Sequence, residues 1–134
     1  MTNRTALLAS LCFVYACTDA PTEEGPLVPV TQATSADGAY SFSLLAPATV
    51  TRGNYTLQYV ITSTATGAAV DDLELDIVPW MPAMGHGTSI VPTITGLGSG
   101  TYELDDVDLY MAGLWQLRTT SSGAQLVEPS LQVQ

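Results

Sequence analysis

Basic residues are almost missing from this chain. It has no lysine, and arginine occurs only at positions 4, 52 and 118, against 13 Asp and Glu. Nucleic acid is therefore not an expected partner, because phosphate binding requires a basic patch. An anionic lipid surface would be repelled as well, so any membrane attachment has to rest on lipid. Cysteine is nearly absent too, with only Cys12 and Cys17 close to the start of the chain. Processing there would leave no pair to form a disulfide framework. A single histidine, His86, removes most catalytic schemes. Zinc catalysis usually recruits three protein ligands of the His, Cys and carboxylate type. A Ser-His-Asp triad built on His86 would lack the Gly-x-Ser-x-Gly elbow that commonly presents the serine. Carboxylates are plentiful, but Asp71, Asp72, Glu74, Asp76, Asp105, Asp106 and Asp108 fall in turns or at solvent-facing strand positions rather than as a glycosidase-like pair. No stretch has helical periodicity, so no glycine loop opens a phosphate-cradling helix. An enzyme is not expected.

What is present starts with a processing segment. Arg4 precedes an apolar run from Ala6 to Ala16. That run is shorter than the ~20 residues a membrane-spanning helix needs, and has the length of a secretory h-region. Val14-Tyr15-Ala16-Cys17 resembles a bacterial lipobox, which implies a signal peptide over residues 1–16 and lipidation of Cys17. The alternative is an ordinary secretory peptide cleaved near Ala16 or Ala20. Either way the product is expected in the bacterial cell envelope. With the lipid it would be periplasmic and anchored to the inner or outer membrane. Loss of Arg4 leaves two arginines against 13 acids, a formal charge of −11. That field favours the approach of cations and also keeps an exported protein soluble. Residues 17–38, with Pro21, Pro26 and Pro29 among Thr and Ala, read as a flexible tether. A single domain is expected over 39–134.

Within that domain the pattern is short β-like runs divided by Gly, Pro and Asp. Tyr40–Leu44 alternates. Tyr55, Leu57, Tyr59 and Ile61 share one face of a second run, and Leu73, Leu75 and Ile77 point inward from a third, with acids between them. Ser89–Val91 and Thr93–Ile94 read as a strand interrupted at Pro92. Asp105-Asp106 breaks the alternation of Tyr102–Tyr110 and predicts a bulge. Leu114–Thr119 places Trp115 and Leu117 in the core, and Leu126–Glu128 and Leu131–Val133 close the chain. About seven strands and recurrent turns predict an all-β fold, an immunoglobulin-like antiparallel β-sandwich, with a small closed barrel as the alternative.

The methionines stand apart from this pattern. Besides Met1 they are Met81 and Met84, in Trp80-Met81-Pro82-Ala83-Met84-Gly85-His86-Gly87, and Met111, in Tyr110-Met111-Ala112-Gly113-Leu114-Trp115. Methionine usually fills gaps in cores, yet Met81 and Met84 lie among Pro and Gly. Pro82 stiffens the segment, and Gly85 and Gly87 permit tight backbone angles. Such a loop could aim two sulfurs and a ring nitrogen at one point, with Met111 arriving from the following hairpin. Three thioethers and an imidazole form a soft, uncharged donor set suited to Cu(I) or Ag(I) rather than to Zn, Mg or Ca. Trp80 would shield that site or meet the cation with its ring face. The competing reading is that Trp80, Met81 and Met84 plug the open end of the sandwich, with His86 bonded to a carbonyl.

The Met-Pro-x-Met-x-His loop, the Gly100-Thr101-Tyr102 strand start and the Met-x-Gly-x-Trp hairpin together resemble the YtkA-like domain family, related to FixH-like proteins. The resemblance spans roughly residues 40–120. It implies an immunoglobulin-like sandwich, exported or membrane-attached and linked with copper handling, with Met81, Met84, His86 and Met111 as metal ligands. Ala112 departs from the proline the family often carries there. The expected function is a lipid-anchored Cu(I) chaperone or buffer whose partners are the copper ion and a copper-receiving protein. The alternative is a metal-free immunoglobulin-like module for protein interaction or structure.

Overall fold

The computed structural model describes residues 25–134, so the expected signal peptide and Cys17 lie outside the described residues. Ten strands follow in order: β1 (Leu27–Thr34), β2 (Tyr40–Pro47), β3 (Gly53–Ser63), β4 (Asp76–Met81), β5 (His86–Gly87), β6 (Thr93–Gly98), β7 (Thr101–Leu109), β8 (Gly113–Ser121), β9 (Ala124–Val127) and β10 (Ser130–Val133). They form two antiparallel sheets, one ordered β1-β2-β3-β7-β6 and the other β10-β8-β4-β5, with β9 also paired to β8. The fold is all-β, as the alternating runs predict.

Alternation fixes which side chains meet between the sheets, because successive residues of a strand point to opposite faces. Phe42 and Leu44 from β2, Leu57, Tyr59 and Ile61 from β3, Leu104 and Val107 from β7, and Trp115 and Leu117 from β8 are all fully buried. At the centre the Phe42 and Tyr59 rings meet edge to face at 5.4 Å, and the Tyr59 hydroxyl lies 2.9 Å from Thr119 Oγ1. Burial pushes the Tyr59 phenol well above its ordinary 10.0, with the Thr119 bond opposing part of the shift. The predicted bulge is present. Tyr55 faces Val107 but Leu57 faces Leu104, and Asp106 takes a left-handed φ of 61°.

The expected tether is in part wrong. Leu27–Thr34 is a strand that pairs with β2 from Leu27 opposite Pro47 to Thr34 opposite Ser41. Among the described residues the sandwich therefore begins at Leu27 rather than at residue 39. Pro29 is tolerated because β1 is the edge of its sheet, and the register shifts between Pro29 and Thr31. The expected strand from Leu73 also starts late. Asp72 has φ 63°, and the Leu73 N–H donates to the Tyr102 hydroxyl at 3.2 Å instead of to a neighbouring strand. Ladder pairing starts only at Asp76, opposite Thr120, and of the three residues expected inward Ile77 is buried while Leu73 and Leu75 are half-buried. Ser89–Val91 forms no strand, and β6 starts after Pro92.

Strand directions decide the layout of the loops. The β4–β5 turn, the β7–β8 turn and the β2–β3 connection share one end of the sandwich. The β1–β2, β6–β7 and β8–β9 turns share the other.

Candidate functional site

β4 delivers the first methionine. Its residues alternate between the core and the outer face: Ile77, Pro79 and Met81 are buried, Val78 is exposed and Trp80 partly so. The chain then reverses within Pro82–Gly85. The Met81 carbonyl accepts from Met84 N–H at 3.2 Å and from Gly85 N–H at 3.0 Å. Proline suits the first corner of such a turn because its φ is already set. Gly85 closes it at φ 67°, where a side chain would be strained. Two strand pairs follow, His86 opposite Met81 and Gly87 opposite Trp80. A Cβ on Gly87 would run into the Pro79 carbonyl oxygen, so the close approach of β5 to β4 demands glycine there.

The expected ligands come together unequally. Met81 is 3% exposed and belongs to the core. A Cβ on Gly113, whose φ is 133°, would lie 3.0 Å from Met81 Cε, so the thioether end of Met81 packs beside the start of β8. His86 is half-buried and shares the sheet face of Met81, its cross-strand partner. Met84 sits on the turn and is 52% exposed. Met111 occupies the β7–β8 turn, half-buried against the core, and its carbonyl accepts the Trp115 indole N–H at 2.9 Å. All four residues thus lie on two adjoining turns and their flanking strands. Met81 and His86 are cross-strand neighbours, and Met111 follows Tyr110, whose hydroxyl lies 3.1 Å from His86 Nδ1.

Tyr110 was not among the expected site residues. Its hydroxyl donates to the Gly87 carbonyl at 3.1 Å and lies 3.1 Å from His86 Nδ1. The two rings are nearly parallel, with centroids 6.3 Å apart. On its other side Tyr110 meets the fully buried Trp115 edge-on at 5.6 Å. The signal in the sequence was its place beside Met111, but alternation alone made it the end of a strand. Thr88 adds a second tie, donating to Asp108 at 3.2 Å and so joining the exit of β5 to β7 across the two sheets.

Trp80 does not do what was expected of it. Strand alternation sends its side chain to the face opposite Met81, and the Arg118 guanidinium lies over its ring, 4.5 Å from the centroid. A cation already occupies that face. The tryptophan that backs this end of the molecule is Trp115.

Among the described residues no three His, Cys, Asp or Glu side chains form a metal-holding group. The thioethers and the one imidazole at this end are neutral and soft donors, and the nearby Asp108 carboxylate accepts from the Thr88 hydroxyl. A groove of about 710 Å³ lies at the opposite end, lined by Asp72, Glu74, Asp76, Ile94 and Tyr102 among others, and contains none of the methionines. Desolvation raises the Tyr102 phenol there, and the Leu73 N–H bond opposes it.

Comparison with known proteins bears on the same stretch. The model of the family described as YtkA-like matches residues 31–120, from within β1 to the penultimate residue of β8. No curated protein and no solved structure matches the chain.

Proposed function

The chain belongs to the YtkA-like family, and from that premise we propose that it is an exported, lipid-anchored protein that binds Cu(I) and serves as a chaperone or buffer. The observation that carries this reading is the pairing of an exposed thioether, Met84, with a half-buried imidazole, His86, on a turn whose closure uses neither side chain. Met81 lies beneath the turn and Met111 beside it. Sulfur and nitrogen donors without charge fit a soft monovalent cation and fit hard divalent ions poorly. Copper is cargo in this account. The chain's residues bind it, and it leaves by exchange onto the donors of a receiving protein, with no bond made or broken in a substrate. Attachment to the membrane rests on lipid at Cys17 alone, and the acidic surface leaves no role for nucleic acid.

A second reading has its own observation. Met81 is buried like any core methionine, and Met84, Tyr110 and Leu114 are 52%, 42% and 46% exposed around the same end. Such an apolar rim suits contact with another protein, with or without metal. A competition titration with a colorimetric Cu(I) chelator, under reducing anaerobic conditions on the chain from Thr18 onward, separates the two. One-to-one binding with Kd below about 1 μM supports copper handling. Absence of competition leaves the protein-contact module.

A further inference from the structure

His86 has two ring nitrogens, and which one carries hydrogen decides which can bind a cation. Two oxygens around Nδ1 bear on this. Gly87 O lies 3.4 Å from Nδ1, and as a carbonyl oxygen it can only accept. The Tyr110 hydroxyl has one hydrogen and two neighbours at 3.1 Å that can accept it, the Gly87 carbonyl and Nδ1. Given to the carbonyl, it leaves the hydroxyl oxygen free to accept from Nδ1–H, so that two bonds form where the other assignment forms one. With the hydrogen placed there, a bare Nδ1 would face lone pairs from both oxygens, whereas an Nδ1–H satisfies the triangle with two hydrogens and no repulsion. Nε2 is then unprotonated, and its lone pair lies on the far side of the ring from this network.

We propose that Tyr110 is a positioning residue that locks neutral His86 in the Nδ1–H tautomer, so that Nε2 is the nitrogen presented to a soft cation. Free imidazole side chains favour the opposite tautomer, so the lock reverses an intrinsic preference. Its framework is a chain of ring contacts ending in the core. The Tyr110 ring is gripped between the His86 ring and the buried Trp115, and Trp115 in turn bonds the carbonyl of Met111. One tyrosine therefore orients the imidazole while the same indole fixes the turn that carries Met111. An outer partner that holds the second nitrogen of a metal-binding histidine fixes its orientation and raises its basicity. The consequence for metal rests on the copper reading above, whereas the tautomer stands on the metal-free chain.

The test uses the ¹⁵N-labelled chain from Thr18 onward without metal, at a pH where the imidazole is neutral. Two-bond ¹H–¹⁵N correlation spectra are recorded for wild type and Tyr110→Phe. Phenylalanine keeps the ring and its contact with Trp115, so the fold is retained. The expected result is a protonated Nδ1 and a bare Nε2 in wild type, with Tyr110→Phe moving the hydrogen toward Nε2. An Nε2–H tautomer in wild type, or an unchanged pattern in the variant, overturns the proposal. A parallel Cu(I) titration should find Tyr110→Phe weaker by about 10–100-fold, the range lost when outer partners of ligands are removed. A tautomer shift in a chain that binds no Cu(I) would sink the copper reading and leave the lock standing. Tight Cu(I) binding without a tautomer shift would do the reverse.

Discussion

Two tight turns at opposite ends of the sandwich make an instructive pair. Between β1 and β2, the Ser35 hydroxyl donates to Asp37 at 2.6 Å and accepts from Tyr40 N–H at 2.9 Å. The Asp37 carboxylate also accepts from Ala39 N–H at 3.0 Å, and Gly38 turns the chain at φ 73°. Every polar side chain there is consumed by closing the turn, in the manner expected of Ser, Asp and Gly. Between β4 and β5 the backbone closes the turn by itself, through the Met81 carbonyl and the left-handed Gly85. The Met84 and His86 side chains contribute no bond to that closure. Residues that local structure does not require are the ones free to serve a ligand or a partner, and only the second turn carries them.

The comparison is sharpest where it separates stability from binding. Met81 is core, so Met81→Ala should lower unfolding stability by about 2–5 kcal/mol in urea. Met84→Ala, on the exposed tip, should stay within about 0.5 kcal/mol. Equal losses would mean that Met84 is packing after all, and the contrast between the turns would fail. Both turns should nonetheless need their glycine alike. Gly38→Ala and Gly85→Ala each force an L-residue into the left-handed region and should cost about 1–2 kcal/mol by the same assay. A neutral Gly85→Ala would show that the β4–β5 turn is looser than its φ implies.

Acid should distinguish the two ends more gently. The Ser35 hydroxyl, then the Ala39 N–H, hold the Asp37 carboxyl below its ordinary 3.8. A depressed carboxyl contributes stability that is present above the unfolded value and is lost as pH falls through the folded one. Protection of the Ala39 and Tyr40 amides, taken relative to intrinsic exchange at each pH, should therefore fall below about pH 4, while that of Met84 and Gly85, whose turn has no carboxylate, should not follow. At the alkaline limit the sign reverses. Tyr59 is raised, so its contribution is intact below 10.0 and declines as pH climbs beyond that value. A tyrosine absorbance titration that tracks loss of fold would register it.

How far the sequence reached depended on whether a residue's partner was its own strand pattern or something distant. Leu57, Tyr59 and Ile61 were legible because alternation alone buries them, and the Asp105-Asp106 bulge because it breaks that alternation. β1 was hidden by Pro29 and by small threonines, which mimic a linker while sitting on an edge strand. Leu73 and Leu75 alternate correctly, but nothing local reveals that the Leu73 N–H is claimed by Tyr102, 29 residues away. The Met/His segment was recognisable because its composition is out of place. The role of Tyr110 and the cover of Arg118 over Trp80 were not, since both depend on which neighbouring strands meet. Cross-strand contact is invisible to a pattern read along one chain.

The central claim is that the β4–β5 turn and the β7–β8 turn share one soft-metal site. The most direct measurement is the Cu(I) competition titration carried out on wild type and on a Met84→Ala, Met111→Ala double variant, each checked for retained fold. Wild type should bind one equivalent, and the double variant should lose at least about a hundredfold in affinity, ~2.7 kcal/mol. Tight binding that survives the loss of both sulfurs, or a wild type that never competes with the chelator, would contradict it.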